Sequence, residues 1–233
     1  MTGAKRRSLF AALLVSPGTV VPIEELAREL WGDEPPRNAE NALYAHVSRL
    51  RTVVTLLRRR SGVPIDLQTR YPGYVLDIQP DVIDITRFRK LYKQASSLRS
   101  SDPERAAAAL RDALALWRGP ALQDVPHGPI RDMEANRLER ERMLATTRLI
   151  EINLELGRHE ELIPDLEALV IRNPLEERLY AQLMRALDSA GRAGDALQIY
   201  QLARVRFAEE MGLSPSPALS RQMDEILNRS ENG

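Results

Sequence analysis

One stretch limits the fold more than any other. Residues 37–60 carry an amphipathic pattern that Ser61-Gly62 halts, and two strand-like runs follow at once. Leu43, Val47, Leu50, Val54 and Leu57 recur at helical spacing and predict a single apolar face. Residues 65–70 and 74–78 flank Tyr71-Pro72-Gly73, the composition of a hairpin turn, with Ile65, Leu67, Tyr74, Leu76 and Ile78 alternating toward one side. Upstream, residues 8–15 read as a short apolar helix ended by Ser16-Pro17-Gly18. Residues 23–30 read as a second, with Glu24 and Glu25 in its first turn, where acids suit the helix dipole. Trp31-Gly32-Asp33-Glu34-Pro35-Pro36 cannot be helical throughout. Three helices and a hairpin outline a winged helix-turn-helix domain over residues 1–79.

From residue 80 the chain is expected to be all-α. Helical patterns near 84–99, 103–117, 129–156, 159–171, 174–190, 193–211 and 215–229 are separated by Pro, Gly or Asp-Pro breaks. Leu156-Gly157-Arg158 and Ala190-Gly191-Arg192 each precede a helix, and their glycines lie 34 positions apart, the period of tetratricopeptide (TPR) helix pairs. Asn173-Pro174 supplies an N-cap and a first-turn proline for the helix between them, and a degenerate third copy falls near 102–116. Stacked pairs leave a concave surface for a partner. The fold class is therefore mainly α, a winged helix followed by a TPR-like domain at 80–233.

Charge distribution is more telling than net charge. The formal balance is zero, but within Arg37–Arg70 seven arginines face two acids, Glu40 and Asp66. Winding the long helix at 100° per residue sets Asn41, Tyr44, Ala45, Ser48 and Thr52 opposite the apolar stripe, with Arg49 and Arg51 on the flanks. A solvated helix face usually mixes Glu and Lys. This one is small and nearly acid-free, so it can approach a duplex while the flanking arginines reach phosphates on both walls of a major groove. Arg70, at the hairpin tip, is placed for the adjoining minor groove. Arg58, Arg59 and Arg60 have a simpler explanation, since cations at a helix C-terminus are favoured by the dipole.

Catalysis finds no support. The histidines, His46, His127 and His159, are scattered, His159-Glu160 lacks a second histidine, and there is neither a phosphate loop nor a dinucleotide glycine motif. No cofactor or metal is expected. Without cysteine the chain has no disulfide, thiolate nucleophile or cysteine zinc site, which fits a reducing cytoplasm. No apolar run approaches the roughly 18–20 residues of a membrane span. The opening KRR followed by LFAALLV imitates a short signal peptide, but no A-x-A cleavage site follows.

The runs Asn38-Ala39-Glu40-Asn41-Ala42-Leu43-Tyr44-Ala45-His46-Val47-Ser48-Arg49-Leu50-Arg51 and Thr69-Arg70-Tyr71-Pro72-Gly73-Tyr74 resemble the OmpR-type winged helix of Streptomyces antibiotic regulatory proteins. Ala115-Leu116-Trp117-Arg118-Gly119-Pro120-Ala121-Leu122, and the run from Glu210 to Leu219, resemble their bacterial transcriptional activator domain. The resemblance implies an activator of a specialised-metabolite gene cluster that binds direct repeats in double-stranded DNA and recruits RNA polymerase; direct-repeat binding would suggest a homodimer through the helical domain, which the sequence leaves open. It assigns DNA contacts to His46, Arg49, Arg51 and Arg70, which join Asn41, Tyr44 and Ser48 from the helical wheel. It also turns the loop Gly32, Asp33, Glu34 and Pro35 toward polymerase. One departure is that such winged helices begin with a small sheet, whereas this chain starts at the first helix, as from a late start codon or a truncation. Loss of those strands is expected to uncover Leu9, Leu13 and Leu14. At about 25 cal/mol per Å² that is a few kcal/mol, and the domain should melt below an upstream-extended relative. The alternative is a TPR-like interaction module whose shortened N-terminal domain no longer binds DNA.

Overall fold

Helix α3 (Ala39–Ser61) is the element on which the first part of the chain packs. Leu43 and Leu50 are fully buried, and Val47 and Val54 nearly so. Leu57, expected on the same stripe, is 40% exposed. The apolar core ends at Val54, and the last two turns of α3 run past it into solvent. Gly62 closes the helix in the left-handed region, its N–H donating to the carbonyl of Arg58.

Two shorter helices, α1 (Ala4–Leu14) and α2 (Ile23–Trp31), cover the other side of that core. Helix α1 starts four residues earlier than its apolar run indicates. Leu9 and Leu13 are fully buried and Leu14 partly so. The expected exposure of Leu9 and Leu13 is therefore wrong, because the packing of α1 on α2 and α3 seals them without any upstream strand. Strands β2 (Ile65–Arg70) and β3 (Gly73–Ile78) form the expected hairpin, pairing Ile65 with Ile78 through Arg70 with Gly73. A third strand, β1 (Val21–Pro22), pairs antiparallel with β3 and completes the order β1-β3-β2. Two residues, one of them an edge proline, carry no alternation from which a strand can be read.

The remaining elements are a 3-10 turn at Pro80–Val82 and helices α4 (Asp84–Leu98), α5 (Pro103–Ala115), α6 (Pro129–Glu155), α7 (His159–Arg172), α8 (Glu177–Ser189), α9 (Ala193–Met211) and α10 (Pro217–Glu231). The structure, a computed structural model, describes residues 3–231. It divides into two compact units that do not follow chain order: one runs to Ser96 and takes in Ala109–Leu144, the other combines Ser97–Ala108 with the chain from Ala145 on.

In the first unit the winged helix is joined to α6 by a buried carboxylate. Glu29 on α2, 2% exposed, accepts the N–H of Ile130 at 2.7 Å and of Arg131 at 3.3 Å, capping the first turn of α6. Ile130 packs on the winged-helix core, and Arg7 on α1 donates to the carbonyl of Asp124 at 3.1 Å. Gly128 makes the approach possible, since a Cβ there would lie 2.5 Å from the Glu29 carboxylate. Arg89 on α4 bridges Glu134 and Glu141 of α6 at 2.7 and 2.8 Å.

In the second unit the 34-residue echo is a repeated backbone turn. Gly157 and Gly191 both take the left-handed conformation, and the N–H of the next residue reaches back to Asn153 and Leu187 respectively. Tyr180 of α8 meets Phe207 of α9 edge-on at 5.5 Å, and Gln182 donates to the carbonyl of Thr147. Asn173-Pro174 does not start α8 as expected. Helix α8 begins at Glu177, and the Asn173 side chain instead caps the end of α7 by donating to the carbonyl of Leu169.

Burial raises the Glu29 carboxyl above its ordinary value near 4.5, and the two backbone N–H donors hold back part of the rise. A carboxyl raised by folding favours the folded state most below its unfolded value, and that contribution is lost as pH climbs through the folded value. Urea unfolding of wild type and Glu29→Gln from about pH 4 to 7 is therefore expected to give a stability difference that declines as pH rises through the Glu29 titration and then levels. A difference that grows with pH would contradict burial as the dominant cause.

Candidate nucleic-acid interface

The outer face of α3 is exposed along Asn41, Tyr44, Ala45, Ser48 and Thr52. Tyr44 donates its hydroxyl to Glu40, one turn back, and that bond is the largest cause raising its phenol above the usual range. Arg49 stands on this face exposed, without a hydrogen bond or ion pair to any described residue. The same holds for ion pairs of the other arginines from Arg37 to Arg70. The ion pairs of Lys90 with Asp81, Arg89 with Glu134 and Arg158 with Glu104 lie beyond the wing. Unneutralised guanidinium groups therefore collect on α3 and the hairpin.

Arg51 differs from Arg49. It donates from Nε to the carbonyl of Leu67 at 3.2 Å and from Nη2 to Thr69 Oγ1 at 2.6 Å, and its guanidinium lies 5.8 Å from the Tyr74 ring centroid. It fastens α3 to the hairpin. His46 is half-buried and tilted against Trp31 at 6.1 Å between centroids. Burial, then Arg49, Lys5 and Arg6, lower its pKa below 6.5, so the ring is neutral at physiological pH. Trp31 packs on the core beneath Lys5, whose ammonium sits 5.7 Å from the ring and donates to the carbonyl of Leu30. Gly32, Asp33, Glu34 and Pro35 are all exposed, in a loop that Gly32 opens with φ 60°.

The hairpin tip is tighter than a three-residue turn. Arg70 pairs with Gly73, leaving Tyr71 and Pro72, joined by a cis peptide, at the end. Gly73 is buried, and a Cβ there would lie 1.9 Å from the carbonyl oxygen of Val21, so β1 can pair only with glycine at this point. Arg70 is exposed, its Nη2 3.3 Å from Gln68 Oε1. Tyr71 beside it is 97% exposed. Reading the sequence as a turn passed over Tyr71. The available signal was an aromatic residue at a loop tip in a chain where only 5% of residues are aromatic. The fold thus gathers Asn41, Tyr44, Ser48, Arg49 and Arg70 as exposed groups, while Arg51 and His46 make packing and bonding contacts within the domain.

Two family models match the chain. "Transcriptional regulatory protein, C terminal" covers residues 2–76, and "Bacterial transcriptional activator domain" covers residues 83–227. Regulatory protein DnrI of Streptomyces peucetius is 38% identical over 96% of this chain and 84% of its own length. Transcriptional regulator RedD of Streptomyces coelicolor is 39% identical over 96% of this chain, which spans 64% of that protein. For regulatory protein AfsR of Streptomyces griseus the identity is 34%, over 97% of this chain and 22% of the relative. Among solved structures, Mycobacterium tuberculosis EmbR in complex with a low-affinity phosphopeptide superposes with a TM-score of 0.90 at 30% identity, covering 98% of this chain and 60% of that one.

The different surroundings of Arg49 and Arg51 predict different stabilities. Arg51→Ala removes two hydrogen bonds between α3 and β2 and should cost about 1–2 kcal/mol in chemical denaturation. Arg49→Ala should change stability by no more than about 0.5 kcal/mol. Equal effects would mean that Arg51 does not hold the hairpin.

Proposed function

Because the chain belongs to the Streptomyces antibiotic regulatory protein family of transcriptional regulators, we propose that it activates a specialised-metabolite gene cluster by binding direct repeats in promoter DNA and recruiting RNA polymerase. Residues 1–79 bind DNA in this reading, and 80–233 form the activator domain. Helix α3 lies in a major groove, with Asn41, Tyr44 and Ser48 toward base edges and Arg49 on a phosphate. Arg70 enters the adjoining minor groove, and Tyr71 lies against the sugar-phosphate backbone. Arg51 acts indirectly by fixing the wing relative to α3, and neutral His46 helps set the angle of the helix through Trp31. Gly32, Asp33, Glu34 and Pro35 face polymerase, a second copy is met through the helical domain, and the protein works in the cytoplasm on the nucleoid.

The observation that carries this reading is the pairing of a small, nearly acid-free exposed face on α3 with Arg49 and Arg70, neither of which meets a carboxylate within the described chain. The burial of Leu9 and Leu13 favours this reading over an interaction module whose shortened N-terminal domain no longer binds DNA. No described helix is long and apolar enough to cross a membrane.

A mobility-shift titration on promoter fragments at several salt concentrations tests the proposal. Replacing Arg49 and Arg70 together by Ala should weaken binding and reduce the salt slope by roughly 0.9 for each phosphate that is no longer neutralised. Fragments with one half-site should bind more weakly than fragments with two. Unchanged affinity and slope in the double variant would exclude both arginines as phosphate partners.

A further inference from the structure

The run Leu116-Trp117-Arg118-Gly119-Pro120-Ala121-Leu122 has no part in the DNA reading, yet it builds a cavity. It leaves the end of α5 and curls over α4 and α6, enclosing about 440 Å³ within the first unit. That is within the range of small-ligand pockets and far larger than the roughly 30 Å³ of one water.

The walls are apolar and held in place. Phe88, buried on α4, meets Trp117 edge-on at 5.5 Å, and Ile85, Leu122 and Leu138 complete the lining. Arg142 covers Trp117 at 4.9 Å from its centroid. The covering loop is fixed from beneath: Ala121 N–H donates to Glu139 at 2.7 Å, and Arg131 donates twice to the carbonyl of Leu122, at 3.3 and 3.0 Å. Leu122 has φ 52°, in the left-handed region that a leucine rarely adopts. These bonds fix the backbone of that turn on both sides.

The rim carries two carboxylates. Asp84 and Asp124 line it with a single guanidinium, that of Arg118. Arg118 is 86% exposed and reaches Asp84 at 3.5 Å, the weak kind of surface pair that a ligand can replace. Asp124 lends only its carbonyl, to Arg7, and its carboxylate makes no hydrogen bond to a described residue. Aromatic walls beneath two carboxylates suit a cation on an apolar body.

We infer that this cavity is a binding site for a small hydrophobic amine, with the apolar body between Phe88, Trp117 and Leu138 and the ammonium toward Asp84 and Asp124. It lies in the unit that carries the winged helix, and its loop continues through Asp124 into the α6 turn capped by Glu29.

Isothermal titration of the full chain at pH 7, without DNA, tests this with three probes of one shape: naphthylethylamine, naphthylethanol and naphthylacetate. Saturable one-to-one binding is expected, with the amine roughly tenfold tighter than the alcohol and the carboxylate weakest. Replacing Asp84 and Asp124 together by Asn, at exposed positions, should bring the amine to the level of the alcohol and leave the alcohol unchanged. Ala121→Trp should fill the space and abolish both, with thermal unfolding confirming that the variant is folded. The inference is overturned by absence of saturable binding, by equal affinity for the three probes, by an amine indifferent to the Asn pair, or by binding that survives in folded Ala121→Trp.

Discussion

The contact between Glu29 and the first turn of α6 is the constraint on which the first unit depends. A carboxylate removed from water is costly unless its oxygens find donors, and the free N–H groups at the start of a helix are donors without partners of their own. Each end therefore offsets part of the other's deficit. The consequence reaches beyond local stability. Residues 101 and 102 positions downstream are bound to the second helix of the winged domain, so the start of α6 is fixed to that domain. With Ile130 in the same core and Arg7 bonded to Asp124, the start of α6 is part of the winged-helix scaffold.

Helix α3 shows how one element satisfies two demands. Its inner face supplies Leu43, Val47, Leu50 and Val54 to the core, and this burial holds the helix against α1, α2 and the sheet. Its outer face is then free to carry groups that do nothing for stability. Arg51 lies between the two roles, with its position settled by Leu67 and Thr69 on β2. A guanidinium engaged in intramolecular bonds cannot move freely to a phosphate, and its value lies in keeping the hairpin at a set distance from the helix. The division of labour between Arg49 and Arg51 is thus one of surroundings, since the residue type is the same.

What was legible in the sequence divides along physical lines. Features set by local period were readable: the α3 stripe, the alternation of β2 and β3, and the two glycine turns 34 positions apart, whose identical backbone geometry is the reason the echo exists. Features set by long-range contact were not. Glu29 looks like any acid on a short amphipathic helix until Ile130 and Arg131 arrive from a hundred residues away. The wheel puts Arg49 and Arg51 symmetrically on two flanks, and only the fold reveals that one flank meets β2. Leu57 obeys the period of the stripe but lies beyond the end of the core, so periodicity overstates the buried face by one turn. In the same way Leu9 and Leu13 could not be known to be sealed, because what seals them is the packing of α1 against two other helices.

Net charge is a poor guide to a nucleic-acid partner when carboxylates are spoken for. The chain balances 33 basic against 33 acidic residues, which on a uniform surface would give no attraction to a polyanion. Part of the acidic charge, however, is engaged in ion pairs where it lies. Glu134 and Glu141 hold Arg89, Glu151 and Glu155 hold Arg99, and Glu104 holds Arg158, all beyond the wing. Each such pair is a dipole whose field falls away within a few ångströms in water. Between Arg37 and Arg70 the guanidinium groups meet no carboxylate partner among the described residues, and seven of them stand against two acids in that stretch, so ion pairing does not cancel their field. A neutral protein can in this way present a cationic face, and it is the placement of ion pairs, more than the count of charges, that creates it.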